Sequence, residues 1–211
     1  MRRLTFICIS VSVIALYGCS KEAQEAAETI KNLQSIASSA ESVTNSNEQL
    51  DKLRKKRQES GDTTSLPPAE LLGYLPTELD GYVAADPETE SVNVGGLAYS
   101  KVTREFTSAT KGNVTITLID YNGAFDAYAA SSAFFALNVR VDNNEETSGT
   151  FQTDNAFVNG HEKYSKTGHD VTVVYGIAGR FWVEINSTQQ TSSAWSRGIG
   201  NSMNLSKLAS M

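Results

Sequence analysis

The stretch Val114–Tyr121, VTITLIDY, is the clearest strand pattern in this chain. Val, Ile and Thr favour a pleated backbone, and alternate side chains from Val114 to Leu118 share one face. Gly112 marks a turn just before it, and residues 97–106, LAYSKVTREF, alternate well enough to form another strand. The short connection around Gly112 predicts that these two strands form an antiparallel hairpin.

The elements after this hairpin complete the predicted domain. Residues 124–137 carry aromatic side chains at helical spacing, which predicts a helix laid across the sheet. Three more strands are predicted, around 162–166, at 170–177 and at 180–186. A last helix is predicted at 190–208. In the last helix we expect four side chains to face inward: Trp195, Ile199, Ser202 and Leu205. The sequence therefore predicts an α+β domain over 67–211, with an antiparallel sheet of about five strands covered by two helices.

Two segments precede the predicted domain. Residues 20–57 hold no Gly or Pro and place Ile30 and Leu33 on one helical face, so we expect a helical stalk over 19–57. The stalk is either a solvated spacer or a helix that pairs with a partner. Residues 58–66, QESGDTTSL, have the composition of a flexible linker.

Five cations stand together at the end of the predicted stalk, in residues 52–57, KLRKKR. Clustered Lys and Arg are attracted to anionic lipid or to anionic cell-wall polymer. The alternative is a solvated helix end, where cations complement the helix dipole. The sequence leaves both interpretations open.

The N-terminus has the order of an export signal. Arg2 and Arg3 are cationic, and residues 4–17 form an apolar run that is too short for a spanning helix of roughly 20 residues. Gly18 and Cys19 then end the run. We therefore expect residues 1–18 to be a signal peptide that is removed.

Leu16-Tyr17-Gly18-Cys19 resembles the lipobox of bacterial lipoprotein precursors. The resemblance implies cleavage before Cys19, which would carry a diacylglycerol thioether and an N-acyl group. Ser20 follows instead of the Asp that marks inner-membrane retention in that family, which implies an outer-membrane protein facing the periplasm. Ordinary secretion and an uncleaved anchor are the alternatives.

The order of the predicted elements, with turns at Leu75-Pro76 and Asp80-Gly81-Tyr82, resembles small lipoproteins of the photosystem II subunit P-like fold. That resemblance implies accessory and binding roles without catalysis. A fold hosts many functions, so the resemblance alone does not decide the function.

Charge and cysteine content exclude several classes of protein. Loss of Arg2 and Arg3 with the signal peptide takes the formal charge from −6 to −8, which repels nucleic-acid phosphate. Cys8 would leave with the signal peptide and Cys19 would carry lipid. The mature chain would then have no thiol for a disulfide, a metal or a nucleophile.

Few residues suggest catalysis. His161 and His169 each stand beside a carboxylate, but zinc needs at least three protein ligands and two histidines form no recognised motif. A solvated or turn-stabilising role is the alternative for both. No Gly-x-Ser-x-Gly element is present, and no cofactor is expected.

Three aromatic residues are candidates for an interaction surface: Tyr74, Tyr82 and Trp182. Trp182 alternates with its neighbours, so it lies either under a helix or exposed on the second face of the sheet. The sequence therefore favours a non-catalytic envelope lipoprotein whose domain contacts a protein or a cell-wall component. The alternative is a periplasmic ligand-binding domain or metal-assisted hydrolase that uses His161 and His169.

Overall fold

The computed structural model describes residues 41, 44–95 and 97–211. The predicted signal peptide, the lipobox with Cys19 and the stalk up to residue 40 lie outside the described residues. Among the helices that are described, none combines the length and the apolar composition needed to cross a membrane.

Within these described residues, nine strands form one antiparallel sheet. In chain order they are β1 Val83–Ala84, β2 Glu88–Val94, β3 Leu97–Ser108, β4 Gly112–Gly123, β5 Val141–Asp142, β6 Glu146–Phe151, β7 Val158–Ser165, β8 Val171–Ile177 and β9 Phe181–Ser187. The order across the sheet is β3-β4-β9-β8-β7-β6-β5, and both β1 and β2 pair with the outer side of β3. Pairing of β4 with β9 joins two runs of consecutive strands into one sheet.

The helices of the described region are α1 over residues 44–59, α2 Pro68–Leu71, α3 Phe125–Leu137, α4 Ala194–Ser202 and α5 Leu205–Ala209, and a 3₁₀ helix, Leu72–Tyr74, follows α2. Helices α2, α4 and α5 cover one face of the sheet, where the core lies. Buried members of this core include Leu71, Val102, Phe106, Ile116, Leu118, Val173, Tyr175, Val183, Ile185, Ile199, Leu205 and Leu208. Helix α3 lies on the opposite face, where Phe135 and Tyr128 contact Gly176 of β8.

The expectation of about five strands and two helices is wrong, because nine strands and five α-helices occur in the described part of the chain. Strands β1 and β5 have two residues each, and β2 is mostly exposed on both faces. Strand β6 begins at Glu146, inside residues 142–149, DNNEETSG, an acidic and polar stretch whose composition predicts a loop. These strands lie at the sheet edges, where low burial leaves no alternating apolar pattern to recognise.

The predicted last helix, 190–208, is two helices. Helix α4 ends at Ser202, and Met203 is extended and buried. Asn204 then caps α5, since its side chain accepts a hydrogen bond from the Lys207 backbone N–H. Trp195 was expected to face inward but is 39% exposed.

The compact unit that contains the sheet runs from Ser39 to Met211, so it begins upstream of residue 67, where the sequence places the domain boundary. Helix α1 and the segment 60–66 belong to this unit. The contacts that hold them to the sheet are part of the first candidate site.

Candidate functional site

Helix α1 contacts the turn between β8 and β9 with one face. Leu50, Leu53 and Arg57 are three and four residues apart, which places them along the same side of the helix. A Cβ built on Gly179 in the turn would lie 3.0 Å from Leu50 Cδ2 and 3.6 Å from Leu53 Cδ1. Glycine at 179 therefore permits the close approach of the helix.

Arg57 fastens the end of α1 to the sheet. Its side chain is buried, with the residue 8% exposed. Nη1 donates to the carbonyl oxygen of Ala178 and Nη2 to that of Gly179, both at 3.0 Å, and Nε donates to Asn122 Oδ1 at 3.0 Å. All three nitrogens of the guanidinium thus donate hydrogen bonds, two to the β8–β9 turn and one to the end of β4.

The turn that Arg57 holds has an unusual backbone. Ala178 and Gly179 both have positive φ, 51° and 66°, and the Arg180 N–H donates to the Ile177 carbonyl at 3.0 Å. Hairpin turns of this kind normally prefer Asn or Gly at the first position, because a Cβ disfavours positive φ. The hydrogen bonds from Arg57 therefore stabilise a turn that its own sequence does not favour.

Asp120 and Arg180 form a buried ion pair beside this turn. Asp120 is 0% exposed and Arg180 is 2% exposed. Arg180 donates from Nε to Oδ1 at 2.9 Å and from Nη2 to Oδ2 at 2.8 Å. The same carboxylate accepts backbone N–H bonds from Leu66 at 2.8 Å and Asn122 at 2.9 Å. A buried charge is tolerated only with such complete pairing.

Asp62 closes the cluster from the segment that the sequence predicts as a flexible linker. Its Oδ2 accepts from Arg180 Nη1 at 2.7 Å, and its Oδ1 accepts from Asn122 Nδ2 at 2.7 Å. These contacts hold residues 57–66 against the sheet. We call the group the clasp; its members are Arg57, Asp62, Asp120, Asn122 and Arg180.

The clasp contains two cations and two carboxylates, so its formal charge is zero. Burial and the neighbouring Arg180 lower the pKa of Arg57, while Asp62 and Asp120 oppose that shift. Because every polar side-chain atom of the clasp is bonded within it or to the backbone, the geometry suits a fastening and leaves no group aimed at a substrate.

The basic run 52–57 divides between two surfaces. Arg57 belongs to the clasp, and Arg54 lies over the Phe125 ring at 4.4 Å with Asp51 at 3.2 Å. The three lysines of the run, Lys52, Lys55 and Lys56, are exposed. Neither sequence interpretation anticipated a buried arginine. One signal of its burial was available in the sequence: Arg57 follows Leu50 and Leu53 at intervals of three and four residues, and a long cationic side chain can extend an apolar stripe.

The two histidines contact opposite faces of the sheet. His161 is half-buried against the Phe134 ring of α3, with centroids 4.9 Å apart, and burial lowers its pKa. His169 is exposed in the turn after β7, where Nδ1 lies 3.2 Å from the hydroxyl of Tyr164, whose ring packs on the core side.

His161 is also four residues before the end of β7, roughly 13 Å at the rise of an antiparallel strand. Among the described residues, no group of three or more His, Cys, Asp or Glu has a geometry that could hold a metal ion. The structure does not bring the two imidazoles to one site.

Of the two positions predicted for Trp182, under a helix or exposed, the structure shows the first. Trp182 is 8% exposed, and the rings of Phe134 and Phe135 in α3 are 6.0 and 5.9 Å from its own. Tyr74 is half-buried with Lys207 Nζ 5.4 Å above its ring. Tyr82 is the candidate that lies beside an open surface.

Tyr82 stacks on Trp195 at the start of α4. The ring centroids are 5.5 Å apart and the planes differ by 20°. The Tyr82 hydroxyl donates to the Lys111 carbonyl at 2.9 Å, which fixes the tyrosine ring and so the plane on which the indole rests. Trp195 remains 39% exposed, so a rigid aromatic surface faces solvent.

A groove of about 340 Å³ opens beside this ring pair. It lies between α4, the turn around Asp80 and the β3–β4 turn. Its lining residues are Leu79, Asp80, Lys111, Trp195, Gly198, Ile199 and Ser202. We call it the Trp195 groove.

The rim of the Trp195 groove carries one cation and one anion. Lys111 Nζ donates to the Asp80 carbonyl at 3.0 Å and is 3.8 Å from its carboxylate. Gly198 adds no side chain to the groove, and a Cβ built there meets no atom within 4 Å. The sequence named Tyr82 as an interaction candidate but placed Trp195 inward, because the two residues are 113 positions apart and neither carries a local sign of their pairing.

No family model, no curated protein and no solved structure matches this chain. The lipobox resemblance and the resemblance to the photosystem II subunit P-like fold therefore remain predictions from the sequence.

Proposed function

We propose that this chain is a non-catalytic lipoprotein of the bacterial envelope. Acyl chains on Cys19 hold it at the outer membrane, and the domain faces the periplasm. There the Trp195 groove contacts a protein or a cell-wall component. The observation that carries the binding role is the stacked Tyr82–Trp195 pair, in which a hydrogen bond fixes Tyr82 and the indole is left exposed beside an open groove.

The arrangement of the charged groups supports binding over catalysis. Catalytic acids and bases need a perturbed pKa together with access to substrate. In the clasp, the buried carboxylate of Asp120 accepts four hydrogen bonds and is 0% exposed. A group so fully engaged stabilises the fold.

The clasp also joins the sheet to the helix that precedes it in the chain. Arg57 fastens the end of α1 to the β8–β9 turn, so α1 and the sheet belong to one compact unit.

The anchor is tested by Cys19→Ala, with Ser20→Ala as the matched control. We expect the unaltered chain and Ser20→Ala to sediment with membranes and to show an acylated N-terminal cysteine by mass spectrometry. Cys19→Ala should appear in the soluble fraction. Continued sedimentation of Cys19→Ala with membranes, or an intact Met1 on the cellular protein, contradicts the proposal.

The binding surface is tested by photo-cross-linking in living cells. A benzophenone amino acid replaces Ala194, exposed at the start of α4 and four residues before Gly198, so that Trp195 is kept. In the control it replaces Val83, which is 72% exposed on β1. We expect adducts at position 194 and none at 83, either to a protein or to material that a cell-wall hydrolase releases. No adduct at 194, or equal adducts at both positions, contradicts this surface.

A further inference from the structure

We infer that the Trp195 groove binds an N-acetylated aminosugar chain, the chemistry of a bacterial cell-wall glycan. This inference deepens the proposed function and rests on it for the location that brings the ligand within reach. It is argued from the aromatic surface, the apolar lining and the uncharged balance of the rim.

The aromatic surface suits a sugar ring. A pyranose has one face made mainly of C–H bonds, whose slight positive charge complements the negative face of an aromatic ring. Tyr82 stacks at 5.5 Å on Trp195 and holds the indole plane, while the indole remains 39% exposed. A sugar can therefore stack without first ordering the side chain, which lowers the entropic cost of binding.

The lining beside the indole suits an acetamido group. Leu79 and Ile199 supply apolar surface, and the glycine at 198 leaves the space above α4 open. At about 340 Å³ the groove is at the lower end of the roughly 300–1,000 Å³ that small-molecule sites occupy. The methyl of an acetamido group can pack against Leu79 and Ile199. A hydroxyl in the same position would make no apolar contact with them.

The rim offers both hydrogen-bond donors and acceptors with no net charge. Lys111 Nζ donates, the Asp80 carboxylate accepts, and their exposed contact at 3.8 Å is weak enough to be exchanged for ligand hydroxyls. Ser202 Oγ donates to the Ile199 carbonyl at 2.7 Å, so its lone pairs can accept. This balance favours a neutral ligand with hydroxyl and amide groups over a phosphate or a charged peptide.

Intrinsic fluorescence provides a direct test on the full lipidated chain in detergent. The chain has two tryptophans: Trp182 is buried beneath α3, so Trp195 is the one that a ligand in the groove can shield from water. Triacetylchitotriose is the probe. We expect a saturable blue shift with half-saturation below about 10 mM. No saturable shift overturns the inference.

A matched pair of glycine variants assigns the shift to the groove. Gly198→Leu fills it, while Gly73→Leu adds the same side chain outside it, and a Cβ at either position meets no atom within 4 Å. We expect at least tenfold weaker binding for Gly198→Leu and unchanged binding for Gly73→Leu. Maltotriose, which lacks acetamido groups, should bind the unaltered chain at least tenfold more weakly. Equal affinity in Gly198→Leu, or equal affinity for maltotriose, overturns the inference.

The two proposals fail separately. If Cys19→Ala remains with membranes, the anchor proposal fails whatever the sugar titration shows. If the titration shows no binding while position 194 cross-links to a protein, the groove takes a protein partner. The glycan inference then falls and the proposed function stands.

Discussion

Replacing Arg57 with alanine tests whether the clasp fastens α1 to the sheet. The substitution removes three hydrogen bonds from a charged donor, two to the carbonyls of Ala178 and Gly179 and one to Asn122. The Asp120–Arg180 pair keeps all of its own bonds. We therefore expect α1 to open from the sheet more often while the sheet stays folded.

The magnitude follows from the number and kind of these bonds. A hydrogen bond to a charged group contributes roughly 1.5–3 kcal/mol net. The lower figure applies here, because the turn carbonyls regain water when α1 leaves. Three bonds then amount to about 4.5 kcal/mol, which raises the opening equilibrium of α1 on the order of a thousandfold at 1.4 kcal/mol per tenfold.

Hydrogen exchange followed by mass spectrometry measures this opening segment by segment. We expect amides of residues 44–59 to exchange on the order of a thousandfold faster in Arg57→Ala, with little change in β4 and β9. Lys56→Ala, an exposed neighbour, is the control and should leave exchange unchanged. An increase below about tenfold over α1, or an equal increase in β4 and β9, refutes the reasoning.

Three further predictions concern stability, measured by urea denaturation. Gly200→Ala should lower the free energy of unfolding by about 1–3 kcal/mol, since its Cβ would overlap the Tyr175 ring. Gly198→Ala should raise the free energy of unfolding by about 0.5–1 kcal/mol, because its Cβ meets no atom and alanine favours a helix over glycine. A change of the same sign in both variants contradicts this. Ala178→Gly should stabilise by about 1 kcal/mol by relieving the positive φ, and any loss of stability counts against that strain. Burial lowers the folded-state pKa of His161, so the unfolded chain binds the proton more readily, and stability should fall as pH drops below about 6.5. His161→Phe should flatten that slope, and an unchanged slope rules out His161 as its source.

Local pattern was sufficient for the individual central strands and for the hairpins β3–β4 and β8–β9, but not for the pairing of β4 with β9. Strands β3, β4, β8 and β9 alternate because one face packs on the core, and the connections at Gly112 and Gly179 are short enough to dictate antiparallel neighbours. The edge strands carry no such signal. Their side chains face solvent on both sides, so propensity and periodicity do not separate β2 from a polar loop.

The polar contacts of the candidate sites lay beyond sequence reasoning. Arg57 reads as one cation in a basic run, and its carbonyl acceptors are 121 and 122 residues away. The carboxylate that binds Arg180 is 60 residues from it. The residues next to Arg57, Asp120 and Arg180 in the sequence do not distinguish these buried charges from solvated ones.

By itself, the sequence predicted the hairpins β3–β4 and β8–β9 and an export signal with a lipid acceptor at Cys19, because each is written in contiguous residues; the pairing of β4 with β9 is not. The tertiary structure alone decided that Arg57, Asp120 and Arg180 are buried together and that Tyr82 supports Trp195. A charge can leave water only where distant segments supply its partners, and an aromatic surface stays rigid only where another ring is placed behind it. Both conditions depend on how the chain folds back on itself.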